Sequence, residues 1–136
     1  MLDDYGLLPA LQWYGNEFWR RTGIRVSVEG DEHMARVPQS TEIALFRIVQ
    51  EALNNVAKHA HAQHVEIALT RKGGNVVLTV SDDGMGFEAA PAMASRRRRP
   101  GLGMVTMRER TQAVGGHFEI GSAPQRGAQV KITVPS

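Results

Sequence analysis

Three short stretches hold residues whose types and spacing suit chemistry. In FRIVQEALNNVAKHA, Glu51 and Asn55 stand four apart, Asn55 and His59 also four apart, and Asn55 and Lys58 three apart. On an α-helix these spacings gather all four side chains on one face. A carboxylate and an amide oxygen are hard ligands that suit Mg2+, and a neighbouring cation suits phosphate. Taken alone, the same pattern also describes the solvated side of an amphipathic helix. In TVSDDGMGF, a β-like run ends on Asp82, followed by Asp83, Gly84 and Gly86. An aspartate fixed at a strand end can accept a hydrogen bond from an exocyclic amine such as that of adenine. The glycines allow a flat base to lie close to the backbone. Asp and Gly are also ordinary turn formers. In PGLGMVTMRER, Gly101 and Gly103 stand before a helical pattern, where free N–H groups and the positive dipole end face an anion. A flexible approach to a helix reads the same way. The three stretches support one another: each supplies a different part of what Mg-ATP requires.

The elements that must position these residues follow from periodicity. GLLPALQWYGNEFWRRTGI reads as a helix with Pro9 in its first turn and Gly23 as its stop. IRVSVEG alternates as a strand does. PQSTEIALFRIVQEALNNVAKHA predicts one long helix, capped by Ser40 or Thr41, with Leu45, Val49, Ala52, Leu53 and Val56 as its buried stripe. HVEIALTRKGGNVVLTVSD predicts a hairpin turning at Lys72–Asn75. Residues 88–100 lack periodicity and are expected to form a loop. GMVTMRERTQAVGG reads as a helix ended by Gly115 and Gly116, and a final hairpin turns between Pro124 and Gly127. Helices over one face of such strands predict an α/β two-layer sandwich with a mixed, mostly antiparallel sheet.

Composition limits the alternatives. The chain has 136 residues, enough for one domain with a real core. It has no cysteine, which removes disulfides, thiolate metal sites and thiol nucleophiles. No apolar run reaches a membrane span of roughly 18 residues. The net charge is +2, and much of the excess lies in Arg96–Arg99. No aromatics interleave with that run to stack bases, which argues against nucleic-acid binding.

FRIVQEALNNVAKHAHA resembles the N box of the GHKL, or Bergerat-fold, ATP-binding superfamily. DDGMGF resembles its DxGxG box and GLGM its second glycine box. Their order, and the closing GGHFEIGSAPQRGAQVKITVP, are similar to the catalytic ATP-binding domain of bacterial sensor histidine kinases. IVQEALNNVAKHA and GMVTMRER resemble the subgroup that partners LuxR-type response regulators, and Thr106, where many relatives carry Gly, is compatible with a nitrate/nitrite-sensor-like member. LDDYGLLPALQW resembles the connection from that subgroup's dimerisation domain.

The resemblance implies roles. Asp82 would bind the adenine amino group, with Gly84 and Gly86 shaping the pocket. Asn55 would hold Mg2+, and Glu51 would act through the metal or a water. Lys58 and His59 would lie near the phosphates and sugar. Gly101, Leu102 and Gly103 would close the phosphate end of a lid spanning 87–103. Residues 1–22 would form the lead-in and first helix, and 23–136 the ATP-binding catalytic domain. Ala128 departs from the usual Thr and removes a hydroxyl from the edge of the site. None of His33, His59, His61, His64 or His117 has the context of a phosphoacceptor, so that histidine is expected on a separate dimerisation domain. The expected domain is cytoplasmic, monomeric in isolation, and without membrane contact of its own, within a parent that can be anchored in the inner membrane. An anti-sigma-type GHKL serine kinase, a GHKL ATPase with Glu51 activating water, and a nucleotide-sensing module without phosphotransfer stand as alternatives.

Overall fold

The computed structural model describes residues 6–30, 36–60, 62–84, 102–123 and 127–135. Helix α1 is Leu7–Thr22, strand β1 Arg25–Gly30 and helix α2 Gln39–Asn55, which continues as a π-helical turn over Val56–Ala60. Strands β2 (His64–Lys72) and β3 (Asn75–Asp82), helix α3 (Leu102–Ala113) and strands β4 (His117–Ala123) and β5 (Gly127–Pro135) complete the chain.

The sheet runs β1-β2-β3-β5-β4. β1 pairs with β2 in parallel, and every other pair is antiparallel. Register puts one apolar set on one face: Ile67 lies opposite Val80, and Val80 opposite Val130. Leu69, Leu78, Ile132 and Phe118 form the next row. Leu11 and Phe18 of α1, Leu45, Ile48, Val49 and Leu53 of α2, and Met107 of α3 join these strands in one buried core. The other sheet face carries Glu66, Thr79, Ser81, Gln129 and Lys131, so the helices lie on one side and the expected two-layer sandwich is the observed one.

Local chemistry explains most boundaries. α1 ends at Gly23, whose left-handed backbone (φ 82°) lets its N–H donate to the Trp19 carbonyl at 2.8 Å. Gly15 takes the place of a side chain where α1 crosses the sheet, because a Cβ there would stand 3.0 Å from Val26 Cγ1. The β2–β3 hairpin turns at Gly73–Gly74, as the alternation predicts.

Two expectations for the long helix are corrected. Its cap is neither Ser40 nor Thr41; the helix starts at Gln39 with Pro38 at the cap position and no side-chain capping bond. The Pro38 carbonyl instead accepts the N–H groups of Thr41 and Glu42, both at 3.0 Å. Thr41 turns into the core, and the buried Glu42 carboxylate (2 % exposed) takes Arg36 in a two-pronged pair at 2.7 and 3.2 Å. The second correction concerns the far end. α-Helical geometry stops at Asn55; the Val56 N–H is shared between the Ala52 and Leu53 carbonyls, and the π turn follows. The wider π turn changes the angular spacing beyond Asn55, so the four-residue step from Asn55 to His59 is not an α-helical one.

Candidate nucleotide site

Glu51 and Asn55 keep the predicted spacing inside α2, and both are half-buried rather than fully solvated. Lys58 lies exposed on the π turn, whose backbone also includes His59. The π turn leads to β2, and Val65 near the start of β2 pairs with Asp82 at the end of β3. Topology therefore delivers the end of the Glu51–Asn55 helix and the Asp82 corner to the same end of the sheet. α3 packs against α2. Its first turn contains Leu102 and Gly103, so Gly103 does not precede the helix as expected but belongs to it. The first-turn N–H groups of a helix lack intrahelical acceptors, so the anion-facing chemistry expected of Gly103 is compatible with its new place. Gly86, Gly101 and Arg96–Arg99 lie outside the described residues.

The two adjacent aspartates do opposite things. Asp82 is half-buried, and its Oδ1 accepts the Gly84 N–H at 2.8 Å. Burial pushes its carboxyl above the ordinary value of 3.8, against the hydrogen bonds from the Gly84 and Ala128 backbones; the Asp83 charge adds to the rise. No ion pair engages it among the described residues. A carboxylate held by backbone donors with no cation partner is available to a ligand's donor. Asp83 is exposed and turns back to β2, where its Oδ1 accepts the N–H groups of Gln63 (2.9 Å) and His64 (3.0 Å). Some burial raises its carboxyl, but these bonds and the nearby His64 imidazole outweigh it and hold Asp83 below its ordinary value.

Sequence reasoning missed two contributors. Gly127 lies so close to the corner that a Cβ there would stand 1.8 Å from the Asp82 carbonyl oxygen and 3.0 Å from its Oδ1. Its neighbour Ala128, read from sequence as a lost hydroxyl, supplies a backbone N–H to the Asp82 carboxylate. The glycine at the first position of an otherwise alternating strand was the available signal. The second is Asp83, read only as part of a turn. His64, read as a surface residue, is half-buried, with its Nε2 2.8 Å from Ser27 Oγ.

Residues 40–136 match the model of the family described as histidine kinase-, DNA gyrase B- and HSP90-like ATPases. The chain belongs to this family. It is 36% identical over 134 residues to the signal transduction histidine-protein kinase/phosphatase DegS of Brevibacillus brevis, covering 98% of this chain and 33% of that protein. It is 35% identical to the oxygen sensor histidine kinase NreB of Staphylococcus carnosus, covering 98% of this chain and 38% of that one. The chain thus spans about a third of these curated relatives. The histidine kinase domain of the Erythrobacter litoralis EL346 blue-light activated histidine kinase has the same fold, with a TM-score of 0.72 at 24% identity over 95% of this chain and 60% of that one. Within its family, the chain is a catalytic ATP-binding domain of the sensor histidine kinase type.

Proposed function

We propose that the domain binds Mg-ATP at the Asp82 corner and donates the γ-phosphoryl group to a histidine on a separate dimerisation domain. One observation carries this reading most directly: Asp82 is half-buried, held by backbone donors, and ion-paired with nothing among the described residues. That state suits an acceptor for the adenine amino group, with Gly84 and Gly86 beside the base. The half-buried Glu51 and Asn55 provide a carboxylate and an amide oxygen, a donor set that fits Mg2+. The bound metal ion would neutralise triphosphate charge. Lys58 and His59 would serve the phosphates and sugar, and the turn of Gly101, Leu102 and Gly103 would present N–H groups to the phosphate tail at the end of a lid spanning 87–103. In the transfer, the acceptor histidine nitrogen forms the new P–N bond as the bond to the departing ADP oxygen breaks. This chain supplies positioning.

The division into a lead-in and first helix (1–22) and a catalytic domain (23–136) belongs to the same reading. So do a LuxR-type response regulator downstream, a monomeric state in isolation and a cytoplasmic location. Among the described residues, no helix is long and apolar enough to cross a membrane.

Titration calorimetry with ATP, with and without Mg2+, tests the site. Wild-type binding modulated by Mg2+ and abolished by Asp82→Asn is the expected result. Unchanged affinity in Asp82→Asn would remove the adenine assignment. Asn55→Asp is expected to alter the Mg2+ dependence, and wild-type-like dependence would sink its metal role. Phosphotransfer to a supplied dimerisation domain then separates a kinase from a nucleotide-sensing module.

A further inference from the structure

We infer that Asp83 is a positioning residue for the nucleotide site, a tie that fixes the end of the Glu51–Asn55 helix segment relative to the Asp82 corner. The inference rests on the proposed nucleotide reading and adds a residue to it. Asp83 Oδ1 accepts two successive backbone N–H groups, from Gln63 at 2.9 Å and His64 at 3.0 Å. The Asp83 N–H returns a bond to the His64 carbonyl at 3.2 Å. The junction is anchored on its other side as well, because the Gln63 carbonyl accepts the Arg25 N–H at 3.0 Å and the His64 ring meets Ser27. The dipeptide Gln63–His64 is therefore fixed between β1 and β3. It follows the π turn that carries Lys58, and the α-helix that carries Asn55 ends immediately before that turn.

On the other side of the tie, Asp83 stands between Asp82 and Gly84, which are bonded to each other. One exposed carboxylate thus couples the part of the site expected to hold the base to the part expected to hold metal and phosphate. Its side chain is committed to backbone donors, so it acts through its neighbours and not on the ligand. Because the junction is exposed, water can replace the lost acceptor in a truncated variant. Loss of Asp83 should then disturb relative position more than folding.

The experiment compares Asp83→Ala and Asp83→Asn with wild type. An asparagine oxygen can still accept both N–H groups, whereas alanine cannot. ATP affinity by calorimetry is expected to fall on the order of tenfold in Asp83→Ala, the lower end of what losing an outer supporting partner costs. It should return to within about twofold of wild type in Asp83→Asn. Amide exchange of Gln63 and His64 should accelerate in Asp83→Ala while the β4–β5 ladder keeps its protection. Wild-type affinity in Asp83→Ala would overturn the inference, as would equal losses in the alanine and asparagine variants. Unchanged exchange at Gln63 and His64 would overturn it independently of any nucleotide. Failure of the nucleotide reading would look different, because the wild type itself would not bind ATP.

Discussion

Gly127→Ala isolates the contact on which the Asp82 corner is built. The added Cβ would lie 1.8 Å from the Asp82 carbonyl oxygen and 2.6 Å from its carbonyl carbon. An ordinary C···O approach is about 3.3 Å or more, so two backbones must part by about 1.5 Å. No side chain can rotate out of the way. Overpacking of this kind costs about 1–3 kcal/mol, and the positive φ of 82° adds about 1–2 kcal/mol for a residue with a Cβ. The sum is about 2–5 kcal/mol, or a fall in Tm of roughly 8–20 °C at about 4 °C per kcal/mol for a domain of this size. Two glycines in the β2–β3 turn separate the terms. Gly73 has φ 61° with nothing within 4 Å of its Cβ position, so Gly73→Ala reports the backbone cost alone. Gly74 has open space and no positive φ, so Gly74→Ala should leave Tm within a few degrees of wild type. Thermal unfolding followed by far-UV circular dichroism gives the three shifts. A Gly127→Ala shift no larger than that of Gly73→Ala would refute the close approach, and with it the account of how Asp82 is held.

Other perturbations have signed outcomes. Asp82 has its carboxyl raised in the fold, so its contribution to stability is full below 3.8 and is lost as pH rises through the raised value. Asp82→Asn should therefore be more stable than wild type near neutral pH while losing nucleotide affinity, and the two Tm values should converge in acid. Asp83 is held below its ordinary value, so its contribution is present above 3.8 and disappears as pH falls through its folded value. Wild type should accordingly be more stable than Asp83→Asn near neutral pH, a difference of opposite sign to that for Asp82, and this difference too should vanish on acidification. Arg36→Ala leaves the buried Glu42 carboxylate without its two-pronged partner and should destabilise by about 1–3 kcal/mol in urea unfolding, since Arg36 is half exposed. Phe18→Ala, fully buried between α1 and the sheet, should cost about 3–5 kcal/mol by the same assay.

Much of this architecture was legible because its signals are local. Alternation marked all of β2 and β3, and the glycine pair placed their turn correctly. The helical stripe of Leu45, Val49, Ala52 and Leu53 is buried as read. Other features depend on tertiary contacts that periodicity does not encode. Alternation in IRVSVEG identifies a strand but not its parallel pairing with β2. The π turn at 56–60 begins at the buried Val56 and leads to the buried Ala62, and apolar spacing alone cannot separate it from a further α-helical turn. The Ser40/Thr41 cap failed because the chain enters the helix earlier, from Pro38, whose carbonyl takes the Thr41 and Glu42 N–H groups. At the site, Asp82 could be singled out by its place at a strand end. The division of labour between Asp82 and Asp83 could not, since it depends on which carboxylate faces Gln63 and His64.

The single parallel ladder also bears on how the chain reaches this structure. β2–β3 and β4–β5 are formed from neighbours in sequence, whereas two ladders join distant segments: β1 meets β2 with Arg25 opposite His64, and β3 meets β5 with Ser81 opposite Gln129 and Asn75 opposite Pro135. Closing either loop is entropically costly until the intervening helices have formed and docked, so the contacts of both ladders should follow those of the two hairpins. Truncating Val26 would then mainly quicken unfolding. Truncating Leu78, at the centre of the β2–β3 hairpin, would mainly slow refolding. The parallel strand would thus join a sheet whose two hairpins are already made, at the same late stage at which β3 and β5 bring those hairpins together.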